Sequence, residues 1–377
     1  MNFRNRQILK KILTCLSCCE LTRKRQIVFY NNLMHLLDKF ISGDNYKENV
    51  DLFDYQHIIA PKYFRCCEWY RANALYGIGN AIRLYSRYNN PIKACIEHGV
   101  YFGKSQNPVE STRSGLPAVI CFSPIRKKYL REITCKPIIA IGPYIHYAES
   151  YCNKDEIGKY KNKFGKILLV FPSHSVPGVT TVFDVNSFIC KIESFKSQYN
   201  FNTVIVCLYF RDIEMQRNIK YEEQGYIVTC AGRREDPLFL SRQKAMISLS
   251  DYTISNAVGT HIGYSIALGV PHMLIDQRTD YRIDSEEAKA EIAEMDFETE
   301  INKSEVKKEF LEYTDHITEG QRQVCEKYWG LSKLRTPEQL LEILKKCEAI
   351  FRDSNKKEKA FDKYASMYFD VDGEELS

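Results

Sequence analysis

The strongest chemical signal is the run SDYTISNAVGTHIGYSIALGVPHMLID at positions 250–276, which has the pattern of an apolar strand, a glycine-containing turn and a helix start. Free amides and the positive dipole end make a helix start a natural site for phosphate. An ordinary strand, turn and helix with good caps fits the same spacing. If the site is real, its donor-phosphate ligands are Ser255, Asn256, Gly259, Thr260 and His261.

Two further strand ends are predicted to reach the same edge. The strand ILLVF is followed by Ser173, His174 and Ser175, whose hydroxyls and imidazole suit phosphate oxygens. Gly232 follows another strand and precedes two arginines, one of which either faces a diphosphate or lies solvated at the surface. These four residues complete the predicted donor site.

Candidate acid–base residues lie in the first half. His98 follows a short strand and titrates near neutrality, so it suits the deprotonation of a hydroxyl, or else it is a turn histidine that holds a backbone group. Glu97 beside it is a candidate for tuning that base, although neighbours along a strand point to opposite faces. His146 is a second candidate base, and its neighbour Tyr144 suits stacking on an acceptor sugar.

Several cofactor and metal signatures are missing from the sequence. Neither GxxxxGK[ST] nor GxGxxG is present, which disfavours ATP hydrolysis and dinucleotide binding. Cys15, Cys18 and Cys19 have no second cysteine pair at zinc-ligand spacing. The DVD run at 370–372 lies in an acidic tail and is interpreted as fortuitous. We therefore expect no cofactor and no metal.

The elements that must position these residues form an α/β pattern. From Lys166 onward, five apolar runs alternate with four helical stretches, which predicts a doubly wound parallel sheet. Before it, helices at 26–42 and 68–88 precede short strands at 93–96, 118–122 and 137–141. The polar run 151–164 is interpreted as a linker, and a late helix is predicted from Thr336 to Phe351.

Composition narrows the class further. The 377 residues are 44% hydrophobic, no apolar run approaches the length of a membrane span, and a net charge of +5 gives no argument for nucleic acid. Residues 3–25 combine an apolar helical stripe with basic residues, which fits either packing on the domain or contact with an anionic membrane surface. Without a signal-peptide pattern, the expected location is the cytoplasm, with peripheral contact at the inner face of the plasma membrane.

Together, the His-Gly strand end, the linker and the Ser-Asn, Gly-Thr-His helix start resemble the GT-B-fold glycosyltransferases of bacterial capsule and lipopolysaccharide synthesis. CDP-glycerol glycerophosphotransferases, sialyl- and Kdo-transferases are similar, and UDP-GlcNAc 2-epimerase more distantly. The resemblance implies two Rossmann-like domains facing a cleft. The two domains are an acceptor domain at 1–155 with a helical N-terminal extension and a nucleotide-donor domain at 165–350. A charged tail at 351–377 follows them.

The resemblance also implies an activity: inverting, metal-independent transfer from a nucleotide sugar to a polysaccharide or lipid-linked acceptor, with His98 as base. Two departures leave the donor open: Ser175 stands where some sialyltransferases have proline after histidine, and the 260–268 helix lacks the usual acidic residue. A sugar-nucleotide 2-epimerase and a catalytically silent carbohydrate-binding relative remain the alternatives.

Overall fold

The computed structural model describes residues 29, 32, 33, 36, 50–61, 64, 66–104, 115–176, 178–283 and 297–357. In the first half, short helices surround a three-stranded parallel sheet in the order β1-β2-β3. In chain order its elements are α1 (Tyr55–Ile59), α2 (Ile78–Ser86), β1 (Cys95–Ile96), β2 (Val119–Cys121), α3 (Pro124–Arg131), β3 (Ile138–Ala140) and α4 (Lys154–Phe164).

The second half is a five-stranded sheet whose neighbours all run parallel, in the order β7-β6-β4-β8-β9. Its strands and the ribbon strands β5 and β10 are β4 (Ile167–Phe171), β5 (Val179–Val182), β6 (Thr203–Cys207), β7 (Ile227–Thr229), β8 (Tyr252–Ser255), β9 (His272–Leu274) and β10 (Asp280–Ile283). The strand order reverses between β4 and β8, and ligands of open α/β sheets bind at such a point.

Eight helices complete the described second half: α5 (Val185–Gln198), α6 (Phe210–Glu214), α7 (Asn218–Glu222), α8 (Phe239–Leu249), α9 (Thr260–Ala267), α10 (Phe297–Phe310), α11 (Glu319–Trp329) and α12 (Pro337–Lys357). Two Rossmann-like units on parallel sheets thus confirm the predicted α/β fold class. The exact domain boundaries stay a prediction.

Three local predictions were wrong. The expected linker is helix α4, which a capping box between Asn153 and Glu156 starts and whose rings Tyr160 and Phe164 pack on Phe53. These apolar positions recur at helical spacing, but the surrounding lysines obscure them. The helix expected at 68–88 is broken where Tyr76 and Gly77 take left-handed backbone angles, with φ of 56° and 70°.

The third concerns the end of the chain. The late helix begins after Thr336, as its capping pattern predicts. The Thr336 hydroxyl accepts a hydrogen bond from the backbone N–H of Gln339. It continues to Lys357 rather than ending where the charged tail was expected. This helix α12 returns to the first half, where Glu348 accepts hydrogen bonds from Tyr88 and Asn90.

The β5–β10 ribbon was not predicted. Its two strands pair antiparallel beside the turn that follows β4.

Among the described residues, no helix is both long and apolar enough to cross a membrane. Residues 3–25, the cysteine cluster, most of the 26–42 helix and the 370–372 run lie outside the described residues.

One close contact joins α9 to α11. A Cβ added to Gly263 would lie 2.2 Å from the Cγ and Cδ1 atoms of the Trp329 ring, which is completely buried. Only glycine therefore fits at this crossing, and the helix that opens the candidate donor site is seated on Trp329.

Replacing Gly263 by alanine forces this packed ring to move, so we expect the free energy of unfolding to fall by about 1–3 kcal/mol. Urea unfolding measures the change. Gly158→Ala in α4 is the matched control, because its added Cβ meets no neighbour within 4 Å, and it should leave stability equal or slightly higher. Equal midpoints for both variants and the wild type would show that the crossing relaxes freely.

Candidate functional site

The two halves meet at the carboxyl edges of their sheets. The amide of Val100, in the loop after β1, donates to the Thr260 hydroxyl at the start of α9, at 3.3 Å. On another side, the amide of Tyr76 donates to the carbonyl of Arg234, which lies in the segment after β7, at 2.5 Å. His98 lies between these contacts, so the predicted base is held beside the second half.

The turn after β4 is fixed by side chains of neighbouring elements. The Ser173 amide donates to Asn256 Oδ1 at 2.7 Å, and the Ser175 amide donates to the buried carboxylate of Asp212. Ser175 is completely buried and its hydroxyl accepts from the Thr181 amide. The predicted phosphate contact of Ser175 is therefore wrong, because this side chain shapes the turn.

The turn after β8 is held in a similar way. The Ser255 hydroxyl donates to the Ala257 carbonyl and lies 3.0 Å from His272 Nε2. In the side chain of Asn256, Oδ1 accepts from the Ser173 backbone N–H and Nδ2 donates to Gln277 Oε1. Both side chains are buried and bonded to protein groups, so they position the turn instead of contacting a ligand.

The start of α9 has the properties of an anion site. Gly259 is the N-cap and supplies no capping side chain, and residues 257–261 are only half-buried. Free amides at a helix start therefore face the cleft. Gly259 and Thr260 lie where the sequence predicts them, at the edge shared with the β4 turn.

Two buried polar atoms beside this helix start have no hydrogen-bond partner in the described part of the chain. They are the hydroxyl of Ser173, a residue 8% exposed, and Nε2 of His261. The His261 ring stacks on Phe171, the last residue of β4, at 5.0 Å between centroids. Phe171 and Ser173 are two positions apart, so both atoms border one turn. Buried polar atoms of this kind normally find a partner.

The histidines of this edge differ in environment. Burial and, to a smaller extent, the nearby His174 lower the pKa of His261 to about 3, so this imidazole is neutral at physiological pH. Burial also lowers the pKa of His272 well below its usual range. His174 is exposed, and its ring lies 5.0 Å from that of Tyr209.

His98 is half-buried on the opposite wall of the cleft. Its ring centroid lies 5.9 Å from that of Tyr76 and 6.4 Å from that of Tyr101. These rings restrict how the imidazole turns. The position fits the predicted base facing the second half.

Glu97 does not accompany His98. Its carboxylate is buried and accepts three hydrogen bonds from Arg126, at 2.7, 2.9 and 3.2 Å. Arg126 also donates to the Gly103 carbonyl and lies over the Tyr101 ring. The predicted catalytic role of Glu97 is therefore replaced by anchoring of the 97–103 loop.

The predicted acceptor residues are also displaced. Tyr144 is completely buried, with its ring centroid 4.1 Å from that of Phe122, so no sugar stacks on it. His146 is exposed, and its ring contacts among the described residues are Tyr85 and Tyr147, whereas the rings beside His98 are Tyr76 and Tyr101.

Gly232 likewise serves packing. Its φ of 122° is left-handed, and an added Cβ would lie 2.9 Å from Asp236 Oδ2 and 3.0 Å from Arg242 Nη1. Its amide donates to the sulfur of Cys230. This glycine therefore makes room for the buried Asp236–Arg242 ion pair and offers no amide to a phosphate.

Sequence reasoning missed two aromatic residues of the cleft. Tyr209 comes two residues after β6 and packs beside His174, so the rule that strand ends gather at one edge would have found it. Tyr76 lies beside His98 and interacts with Tyr209 across the two halves. Its left-handed backbone conformation is unusual for tyrosine, and no sequence signal predicted it.

The three buried carboxylates described around the site are paired with arginines. Glu97, Asp212 and Asp236 pair with Arg126, Arg217 and Arg242 at distances of 2.7 to 3.0 Å. No group of three or more His, Cys, Asp or Glu within the described ranges is arranged to hold a metal ion. The three carboxylates are thus committed to ion pairs within the fold.

The sequence matches no known family profile and no curated protein. Two similar solved structures are S. aureus MnaA with UDP, 9% identical, and UDP-GlcNAc 2-epimerase from Neisseria meningitidis bound to UDP-GlcNAc, 12% identical. Each alignment covers 74% of this chain, with 78% and 73% of the other chains, at a TM-score of 0.32. Likenesses this distant assign neither site nor activity.

The Glu97–Arg126 pair makes a stability prediction. Glu97→Leu leaves a buried guanidinium without its counter-charge and should cost about 3–5 kcal/mol of unfolding free energy. Adding Arg126→Met removes the unpaired charge, so the double variant should recover most of that loss. Urea unfolding tests both. Wild-type stability in the single variant would mean that the pair does not anchor the loop.

The buried histidines predict acid sensitivity. Their pKa values are lower in the folded chain than in the unfolded one, so the unfolded state binds more protons as the pH falls below about 6.5. The contribution of these histidines to the free energy of unfolding should be fully present above that pH. It should fall toward pH 5 by up to about 1.4 kcal/mol per pH unit for each buried histidine.

Urea unfolding at pH 5, 6 and 7 tests this dependence, since carboxylates stay mainly ionised in that range. His272→Asn should flatten the slope. His316→Asn, which replaces an imidazole at the surface, should keep the wild-type slope. Identical slopes in all three proteins would exclude His272 as a source of the acid sensitivity.

Proposed function

We propose that this chain is a glycosyltransferase that moves a sugar from a nucleotide-activated donor to a hydroxyl of a polysaccharide or lipid-linked acceptor. The observation that carries the proposal is the pair of unpartnered buried atoms, Ser173 Oγ and His261 Nε2, beside the uncapped start of α9. They lie at the strand-order reversal and opposite a half-buried histidine of the other half.

The donor side suits a phosphate leaving group. The Ser173 hydroxyl, the neutral imidazole of His261 and the amides at the start of α9 can each donate to phosphate oxygens. Such donors are preorganised, because the turns that carry them are fixed by Asn256 and Asp212. Fixed donors stabilise charge that develops in a transition state more than they stabilise the neutral ground state.

The acceptor side suits a single displacement. His98 would take the proton of the acceptor hydroxyl as its oxygen bonds to the anomeric carbon of the donor sugar. On the opposite face of that carbon, the bond to the phosphate oxygen breaks, and the nucleotide leaves with the electron pair. Such a reaction inverts the anomeric configuration.

Charge compensation for the departing phosphate is proposed to come from the helix dipole and the hydrogen-bond donors, without a metal. The positive end of α9 points at the phosphate position, and a dipole of this kind is worth about 0.3–1 kcal/mol at an exposed site and more when partly buried. Metal independence is a proposal to be tested by assays with and without a chelator.

A 2-epimerase of the same fold would need free carboxylates in the cleft. In the described residues, three buried carboxylates near the cleft are each paired with an arginine. We propose transfer as the function and keep epimerisation as the alternative. Product analysis separates the functions. Nucleotide release that requires an acceptor indicates transfer, interconversion of the sugar nucleotide without acceptor indicates epimerisation, and binding without either indicates a silent relative.

The acceptor and the cellular location are proposed from the sequence alone. Capsule and lipopolysaccharide acceptors are assembled on lipids at the inner face of the plasma membrane, and residues 3–25 carry the basic, apolar pattern that suits such a surface. Deleting those residues should reduce sedimentation with anionic vesicles if they provide the contact.

We expect His98→Asn to lower kcat by about a hundredfold to ten-thousandfold, because it removes the proposed general base. Nucleotide affinity should stay within about twofold, since the predicted phosphate donors lie on the other half. A thermal-shift screen with UDP, CMP, CDP and GDP first identifies the nucleotide, and acceptor-dependent release of that nucleotide measures turnover.

His146→Asn is the matched control, because it is the other candidate histidine of the first half and its ring contacts Tyr85 and Tyr147 instead of the rings beside His98. It should keep wild-type kcat. Activity of His98→Asn within threefold of the wild type would remove His98 from the reaction, and loss of activity in His146→Asn alone would transfer the role of base to His146.

A further inference from the structure

Hydrogen bonds and an ion pair hold the loop that carries His98 at several points along its length. Glu97, at its beginning, is paired with Arg126. The Phe102 carbonyl, near its end, accepts a hydrogen bond from Asn302 of α10. Between them, the Val100 amide donates to the Thr260 hydroxyl at 3.3 Å. The outer anchors therefore hold the loop on the fold, and the middle one connects it to the start of α9.

Thr260 is itself held from behind. Its carbonyl accepts from the indole Nε1 of the buried Trp329 at 3.3 Å, and the neighbouring Gly263 is in close contact with the same ring. The hydroxyl therefore projects from a rigid helix start, whereas Val100 lies on a loop. A movement at this contact displaces the loop more readily than the helix.

A threonine hydroxyl has two lone pairs and one hydrogen. The Val100 amide uses a lone pair, and the hydrogen remains to be donated. Thr260 is the first residue of α9, among the amides proposed to bind the donor phosphate, and is half-buried. One hydroxyl is thus placed to donate to a phosphate oxygen while it accepts from the loop of His98.

We propose that Thr260 is a positioning residue that transmits occupancy of the phosphate site to His98. A hydroxyl that donates to an anionic oxygen becomes a stronger acceptor, because consecutive hydrogen bonds polarise one another. A bound donor phosphate therefore tightens the Val100 contact and holds His98, two residues away, against the donor sugar. The inference rests on the proposed function and predicts that the donor binds before the acceptor.

Hydrogen exchange tests the transmission without requiring turnover. The wild type is compared with Thr260→Val, which keeps the shape but loses the hydroxyl, and with Thr260→Ser, which keeps the hydroxyl. Each protein is saturated with the nucleotide among UDP, CMP, CDP and GDP that raises its melting temperature. Exchange of the 97–103 segment should slow by at least about threefold on nucleotide binding in the wild type and in Thr260→Ser.

In Thr260→Val, nucleotide at saturation should leave exchange of that segment unchanged. Equal protection in Thr260→Val and the wild type would overturn the inference while leaving the proposed donor site intact. Failure of all four nucleotides to raise the melting temperature of the wild type would instead contradict the donor site, and with it this inference.

Kinetics provide a second readout. Thr260→Val should lower kcat by about tenfold in the wild-type background, roughly the effect of one lost hydrogen bond, and by less than about twofold in the His98→Asn background. Non-additivity follows because both changes act on the same proton transfer. Equal factors in the two backgrounds would show that Thr260 acts on the phosphate alone.

Discussion

The parallel direction of the second sheet is the constraint on which the rest of the structure depends. Since all five strands run the same way, the residues that follow them emerge at one edge, and the reversal of order between β4 and β8 opens a gap there. The turns after these two strands are tied together by the bond from the Ser173 amide to Asn256. Everything proposed for the donor site follows from this geometry.

The buried charged side chains around the site hold its loops and turns in place. Three arginine–carboxylate pairs fix the loop after β1, the turn after β4 and the segment after β7, and removing either partner of such a pair leaves an uncompensated charge in a poorly solvated region. With the carboxylates committed in this way, the donors proposed for the phosphate are the neutral groups in the turn after β4 and at the start of α9. Such donors complement an anionic phosphate.

The two halves share a hydrophobic core and many hydrogen bonds, and two of these bonds flank His98. Val100 meets Thr260 on one side of His98, and Tyr76 meets Arg234 on the other, so the loop and the left-handed turn of the first half are both set by the second. The packing of Gly263 on Trp329 fixes the helix from which one of these contacts arises. These two hydrogen bonds are the contacts nearest to the proposed base that connect it to the half with the proposed leaving group.

The sequence by itself determined the elements of the second half, because alternating apolar runs and helical stretches have periods that can be read locally, and parallel strands require crossovers. It also located His98, Thr260 and His261 at strand and helix ends. Only the tertiary structure decided which polar groups can reach a ligand and which are buried or hydrogen-bonded within the protein. Glu97, Ser175, Ser255, Asn256, Gly232 and Tyr144 have suitable chemistry and spacing, yet their partners are distant in sequence or their burial arises from packing. Hydrogen-bond satisfaction depends on those long-range neighbours, which no local pattern records.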